Sequence, residues 1–430
     1  MLETVDDRGR RGTVRDKDTE KDDKIVSLTE TLGDEIDDGE PQEEDFDETM
    51  RRHRARLRAG TLLLAGVAAV VLVYIFVIRP SRPYALLDEV YSETIPYAAG
   101  QNYVNMGGGI LQYGYNGAAY YSVDDKHAWS VVYSMEDPKV AVCGDWALVY
   151  DRDGRSAIVF SAQGGKAGEI STNQPIRAGT VSGYGAVSLV QEDGLSNDIM
   201  FYSKEGKKLD ILIHTMAGES GYPIDICLSP DGQMLIASYV YIDSGVMQNQ
   251  IVFYNFDTTK NSGTQTVGAY RKYGDTLFAD VAFISNDRAV ACGDGKVVFY
   301  SLKNRTAPAE LAVIEPQSTI TALTYSASGV SMAVTDGDSV QNHFIVTYDS
   351  NGKELYKVST NFTICDMQYT KNGVYITGPG SLLYLDKKGR SFFKGSLETS
   401  VDKLNNAGSS PAELFIIGGG KYSYIKLVRR

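Results

Sequence analysis

Two patterns of apolar residues divide the chain. Residues 60–78, GTLLLAGVAAVVLVYIFVI, form an uncharged run with no polar face. A helix of this length rises about 28 Å at ~1.5 Å per residue, which matches the hydrocarbon layer of a bilayer, so the run predicts one membrane-spanning helix. The core helix of a soluble domain is rarely apolar on every side over such a length. From residue 100 onward the pattern changes to short runs of Val, Ile, Tyr, Phe and Leu separated by Gly, Asn and Asp, with no helical period. That alternation predicts an all-β domain.

The β region repeats. Four segments, Leu228-SPDG-QMLIA, Phe283-ISND-RAVAC, Tyr325-SASG-VSMAV and Tyr369-TKNG-VYIT, align as strand, tight turn and strand. A second motif alternates with them, an apolar strand closing on an aromatic at Tyr202, Tyr254, Tyr300, Tyr348 and Tyr384, with weaker copies at Tyr121, Phe160 and Tyr424. The markers stand 36 to 52 residues apart. That is room for about four short strands, a propeller blade rather than a single hairpin. Eight markers predict an eight-bladed β-propeller with blades starting near residues 101, 139, 175, 223, 278, 319, 363 and 403. Seven blades is the alternative, because the first two copies are degenerate. The last copy ends after three strands, so its outer strand is expected from Glu89–Tyr97, which would join the two ends of the ring and protect its edge.

Charge sorts the remainder. Residues 1–50 hold 19 Asp and Glu against 7 Lys and Arg. Their one apolar patch, Ile25, Val26, Leu28 and Leu32, is too small to offset ordering entropy. They are expected to form a disordered tail, either merely solvated or docking through that patch to a cytoplasmic partner. Residues 51–59 carry Arg51, Arg52, Arg54, Arg56 and Arg58, against Arg79 and Arg82 behind the apolar run. The positive-inside bias then predicts a single-pass plasma-membrane protein with a cytoplasmic N-terminus, a linker at 79–88 and an extracytoplasmic propeller at 89–430. The run begins too far along the chain for a cleaved signal peptide and is expected to remain as an anchor. A net charge of −13 without a basic stripe argues against nucleic acid, whose phosphates call for clustered Lys and Arg.

No catalytic constellation stands out. Cys143, Cys227, Cys292 and Cys365 fall in four different blades in apolar strand contexts and are expected to be free, buried thiols. His53, His127, His214 and His343 lack metal-binding spacing. Asp151, Asp153, Asp336 and Asp338 sit in DRDG and TDGD segments that are short of ligands for calcium, and turns are expected there. The GGG runs at 107–109 and 418–420 lack the strand-to-helix context of a phosphate cradle and predict hairpin turns. There is no nucleophile elbow or triad signature, and no cofactor is expected.

Leu228–Gly232 followed by MLIAS resembles the first hairpin of WD-repeat and related bacterial propellers. YYSVDDKHAW, ending at Trp129, and YDSNGKELY, ending at Tyr356, resemble quinoprotein-type repeats. An acidic tail, one span and a propeller together resemble a family of bacterial membrane-anchored propellers without an established activity, and this implies place and fold only. The expected function is a binding or scaffolding module for an extracytoplasmic protein, peptide or envelope polymer. The alternative is an anchored enzyme of quinone-dependent or lyase type, implied only by the enzymes among the families it resembles.

In a propeller, the first-to-second and third-to-fourth strand turns share one face, and the second-to-third loops and blade connections share the other. The former are tight here (SPDG, TKNG, KEGK, SNGK), whereas the latter include HTMAGESGYP, IDSGVMQNQ and GAYRKYGDTLF. Long loops carry function more often, so Tyr222, Tyr270, Arg271 and Tyr273 are candidate binding residues. Asn197, Asn249 and Asn342 precede marker tyrosines by five or six residues. They are expected in equivalent second-to-third loops, as turn formers or as a polar ring. A closing strand that starts on the tight-turn face soon after the span predicts that this face looks toward the bilayer and the long-loop face away.

Overall fold

The computed structural model describes residues 43–78, 81–96, 100–123, 126–256, 265–271, 273–274, 276–336, 339–406 and 408–429. The chain divides into two compact units that meet at Val77 and Ile78. The first contains the helix Glu43–Val73, which continues as a π-helical turn over Tyr74–Ile78. Helix therefore begins well before Gly60 and takes in residues 43–50, where a disordered tail was expected. The sequence of its first turns holds Glu43, Glu44, Asp45, Asp47 and Glu48, the sign of charge that a helix N-terminus favours. The patch Ile25 to Leu32 lies outside the described residues. Over Met50–Phe76 the helix is long and apolar enough to cross a membrane, and this stretch is not buried by the protein.

The second unit consists of eight four-stranded antiparallel sheets. Blades 1 to 7 each take four consecutive strands, with first strands Asn102–Met106, Pro138–Cys143, Ile176–Val181, Tyr222–Leu228, Phe278–Ser285, Ile320–Ser326 and Asp366–Thr370. Blade 8 has Lys403–Asn405, Glu413–Gly418 and Lys421–Val428, and its outer strand is Leu86–Thr94 from the other end of the chain. This strand starts earlier than the Glu89 expected, because Leu86 already pairs with Val428; Tyr97 lies outside the described residues. The eighth blade excludes the seven-bladed alternative. The weak copies at Tyr121 and Phe160 are complete blades, and Trp129 stacks between Tyr120 and Phe160 at 5.7 and 5.2 Å. Both GGG runs are hairpin turns, as expected.

The marker aromatics coincide with a structural regularity. In blades 1 to 7 the ladder between third and fourth strands shifts register at the marker residue, from Tyr121 through Tyr384. In blade 8 the shift falls on the closing strand, between Glu89 and Tyr91, opposite Tyr424. A bulge adds local twist, which swings each outer strand away from the inner ones. The outer turns of blades 3, 6 and 7 are then alike. Gly206, Gly352 and Gly389 have φ of 84°, 80° and 76°. Ser203, Asp349 and Asp386 accept with their side chains from the N–H groups of Lys207, Lys353 and Arg390.

First strands form the inner ring, each with one edge that has no strand partner. Side chains from one blade satisfy the N–H groups of the next. Thr180 accepts from Leu228 at 3.1 Å, Asp225 from Val281 at 2.8 Å, Thr324 from Tyr369 at 3.3 Å and Gln368 from Asn406 at 2.8 Å.

Candidate functional site

The tight-turn face is knitted from blade to blade. Arg305 of blade 5 pairs with Asp231 of blade 4 at 2.5 Å, and the Asp231 N–H donates to Asn286 at 3.0 Å. Arg288 donates to Asn351 at 2.8 Å, and Asn372 to Asn406 at 2.9 Å. Tyr184 stands exposed on the same face.

The long-loop face differs at blades 3 and 4. Two ten-residue strands, Met234–Asp243 and Val246–Asn255, form a hairpin whose turn residues Ser244 and Gly245 have φ of 51° and 83°. Two central residues with positive φ match the right-handed twist of the strands. Ile242, 77% exposed, pairs with Met247 next to the turn, and Val246 is exposed beside them. In blade 3 the corresponding turn presents Leu195 at 73% exposure. Met216 is exposed at the end of that blade's outer strand, and the helical turn Ala217–Ser220 leads on to blade 4. The Ala217 N–H donates to Leu195 O at 2.9 Å, and Gln250 donates to Ser220 O at 2.7 Å, which ties this connection to both hairpins.

Charge around these apolar tips is mostly acidic, with Arg271 an exposed cation over the Tyr241 ring. Arg177 is engaged by Asp153 and Glu192, and His214 by Asp198 at 2.6 Å. Asp193, Glu219 and Asp243 are exposed and make no ion pair among the described residues. An apolar centre with an acidic rim suits a partner that is apolar and basic.

The residues picked from sequence take different places. Tyr222 is exposed at the start of blade 4's first strand. Arg271 is exposed, lies over the Tyr241 ring at 5.4 Å and donates to Gln250 at 2.5 Å. Tyr270 is half-buried, packs edge-on to Phe253 and donates its hydroxyl to Pro308 O. Tyr273 is only 3% exposed, with its hydroxyl 2.6 Å from that of Tyr300 and 2.8 Å from Glu310. The connection between blades 4 and 5 folds inward there, and the ring fills the space between them.

Asn197, Asn249 and Asn342 lie within third strands rather than in loops, because those strands extend further than the turn signals suggest. Asn197 and Asn249 are buried, whereas Asn342 is exposed, so they do not form one polar ring. The Asn249 amide donates to Ser238 Oγ at 3.0 Å, and Ser238 donates to Phe278 O in the next blade at 2.7 Å. All four cysteines are free. Cys365 departs from the expected burial: it precedes the first strand of blade 7, on the connection, and is exposed. Burial pushes the Cys143 and Cys292 thiols up, and that of Cys227 up to about 12. Asp151 accepts from the N–H groups of Glu136 and Asp137, which is turn chemistry. The His127 side chain and Asp338 lie outside the described residues. Among the described residues no group of three or more His, Cys, Asp or Glu could hold a metal.

One cluster escaped the sequence reading. Asp225 and Asp280 stand on adjacent first strands, and the Tyr325 hydroxyl donates to Asp280 at 3.3 Å. Burial, then the charge of Asp280, pushes the Asp225 carboxyl up to about 8, although Val281 and Ile226 bond it. Burial also raises Asp280. Both are partly exposed. The signal was present in the repeat: Asp225, Asp280 and Asp366 each stand three residues before the aligned hairpin positions Leu228, Phe283 and Tyr369. Of the three, Asp366 is neutralised by Lys403 at 2.8 Å.

Residues 82–427 match the model of a family of unknown function, DUF5711. The chain belongs to this family. The DUF5711 match takes in the closing strand together with the ring. No curated protein matches the chain. Among solved structures it is similar to Chaetomium thermophilum Sqt1, at 13% identity and a TM-score of 0.51 over 78% of this chain and 98% of that one. It is similar also to the Dos1 propeller, at 13% identity and 0.51 over 79% and 96%. At this identity, the likeness shows that DUF5711 shares the propeller fold with these proteins.

Proposed function

We propose that this DUF5711 chain is a membrane-anchored binding module. In this reading the helix over Met50–Phe76 spans a bilayer once, with the N-terminus cytoplasmic and the propeller outside the cytoplasm. The long-loop face of blades 3 and 4 docks a protein segment that combines apolar side chains with positive charge. The observation that carries the docking reading is the projection of Leu195, Ile242, Val246 and Met247 into solvent from hairpin tips. Large side chains gathered there add nothing to the core and mark an interaction surface. Asp193, Glu219 and Asp243 set the sign of the partner. Five arginines before the span support the orientation.

A photo-crosslinking residue at Val246 of the full chain, compared with one at Lys303 on the tight-turn face, tests the docking reading. The expected result is a crosslinked protein whose contacted segment, by mass spectrometry, is apolar and basic, with the product lost when Ile242→Asp and Met247→Asp are combined. No hairpin-specific product, or equal capture from Lys303, overturns it.

A further inference from the structure

A cavity of about 390 Å³ lies between the closing blade and blade 1, apart from the docking face just described. Its size is at the small end of the roughly 300–1,000 Å³ typical of ligand sites. Tyr121 of blade 1 and Tyr422 of blade 8 contribute aromatic rings with centroids 5.3 Å apart, and Ile95 and Val131 add aliphatic wall. Gln112, only 6% exposed, lines the same space. The Tyr121 hydroxyl donates to Gln112 Oε1 at 3.1 Å. The Gln112 amide nitrogen has no protein partner among the described residues. The nitrogen is not enclosed by the protein, and a ligand in the cavity can take the place of solvent as its acceptor. Turning the amide over would leave its other polar atom in the same position.

The remaining lining defines what can complete it. Gln101 and Asn116 bring two more amides, and Thr94 and Ser130 bring hydroxyls. Among the described lining residues the charged group is Glu93, whose carboxylate accepts from the Tyr422 hydroxyl at 2.6 Å, and none is Lys, Arg or His. Among the described lining residues a phosphate or carboxylate ligand would meet the Glu93 carboxylate and no cation to offset its desolvation. Neutral hydroxyls can exchange hydrogen bonds with amides while C–H faces lie on the tyrosines.

We propose that this cavity binds a neutral, hydroxyl-rich ligand the size of one sugar residue, with Gln112 as the buried amide that recognises it. A ligand of roughly a dozen heavy atoms should bind with a millimolar dissociation constant. The test uses the full chain in a detergent without a sugar headgroup, titrated with glucose, N-acetylglucosamine and glucose 6-phosphate and followed by saturation-transfer NMR. Saturable binding of at least one neutral sugar is expected, with glucose 6-phosphate at least about tenfold weaker than glucose. Gln112→Leu should weaken the neutral sugar about tenfold or more. Asn116→Trp, at the exposed rim, should abolish its binding by obstruction without disturbing the buried network. The proposal is overturned if neither neutral sugar binds, if the phosphorylated sugar binds as well as glucose, or if binding persists unchanged in both variants.

Discussion

Tyr91, near the start of the propeller, lies directly opposite Tyr424, near its end, with ring centroids 5.8 Å apart. The ring is therefore closed by the segment that also leads to the apolar helix. Tyr84 and Leu87 pack with Leu427 and Phe392, and Tyr91 and Ile95 with Tyr422. At roughly 1.5–3 kcal/mol for a fully buried apolar side chain, the buried Tyr84 and Ile95 with the half-buried Leu87 and Tyr91 amount to a large share of the ~5–15 kcal/mol stability of a domain. A chain starting at residue 101 is expected to aggregate or melt without cooperativity, and one starting at residue 81 to fold. Size-exclusion chromatography and thermal melts of the two distinguish them.

The Asp225 and Asp280 carboxyls make stability depend on pH with a definite sign. An unfolded Asp titrates near ~3.9, whereas Asp225 in the fold is pushed up to about 8. Between those values the folded state holds a proton that the unfolded state has released, so stability is greatest below this window and falls as pH rises through it, by up to a few kcal/mol in all. Asp225→Asn keeps an acceptor for the Val281 N–H and removes the titration. Melting temperatures measured from pH 5 to pH 8 should fall for the wild-type chain and change distinctly less for the variant; equal slopes would contradict the assignment to Asp225.

Cys365 offers a test of orientation. It is exposed, whereas burial raises the Cys143, Cys227 and Cys292 thiols and so depletes the thiolate that reacts. A membrane-impermeant maleimide added to intact cells should modify Cys365 and spare the other three if the propeller lies outside the cytoplasm. Labelling only after lysis would place it inside. Cys365→Ser is the control that should remove the signal.

The hairpin of blade 4 carries a residue poorly matched to its turn. Ser244 holds φ of 51° ahead of Gly245, a left-handed conformation that costs a typical side chain about 1–2 kcal/mol and Asn less. Ser244→Asn should raise stability by about 0.5–1 kcal/mol, read as a higher urea midpoint with an unchanged slope. Since the apolar neighbours Ile242, Val246 and Met247 are untouched, crosslinking from the hairpin should persist.

The repeat was legible because each blade solves the same local problem. Aromatic markers sit at the bulges, SPDG and KEGK dictate their turns, and a three-stranded last copy calls for a strand from elsewhere. What depends on closing the ring was harder to read. Asp225 in IDI and Asp280 in ADV share a repeat position, but their meeting across adjacent first strands follows only from the packing of the ring. Side-chain burial in connections was also hidden. Tyr222 and Tyr273 have similar turn-rich neighbours in sequence, yet one is exposed and the other fills the space between two blades.

That contrast decides how the long-loop face must be probed. Tyr273 belongs to a cluster with Phe253, Phe278 and Tyr300, and its hydroxyl bonds Tyr300 and Glu310. Tyr273→Ala should cost about 3–5 kcal/mol, as expected for truncating a buried aromatic. Tyr273→Phe should cost about 1–2 kcal/mol, because Glu310 and Tyr300 lose a partner while the ring remains. Tyr222→Ala and Arg271→Ala, at exposed positions, should each stay within about 1 kcal/mol. Urea denaturation of the four variants checks this order. A binding loss in a Tyr270, Arg271 and Tyr273 triple alanine variant would therefore report damage to the seam between blades 4 and 5. The surface itself is tested by Tyr222→Ala and Arg271→Ala together with Ile242→Asp, and weaker crosslinking at unchanged stability in those variants is the outcome expected of a docking face.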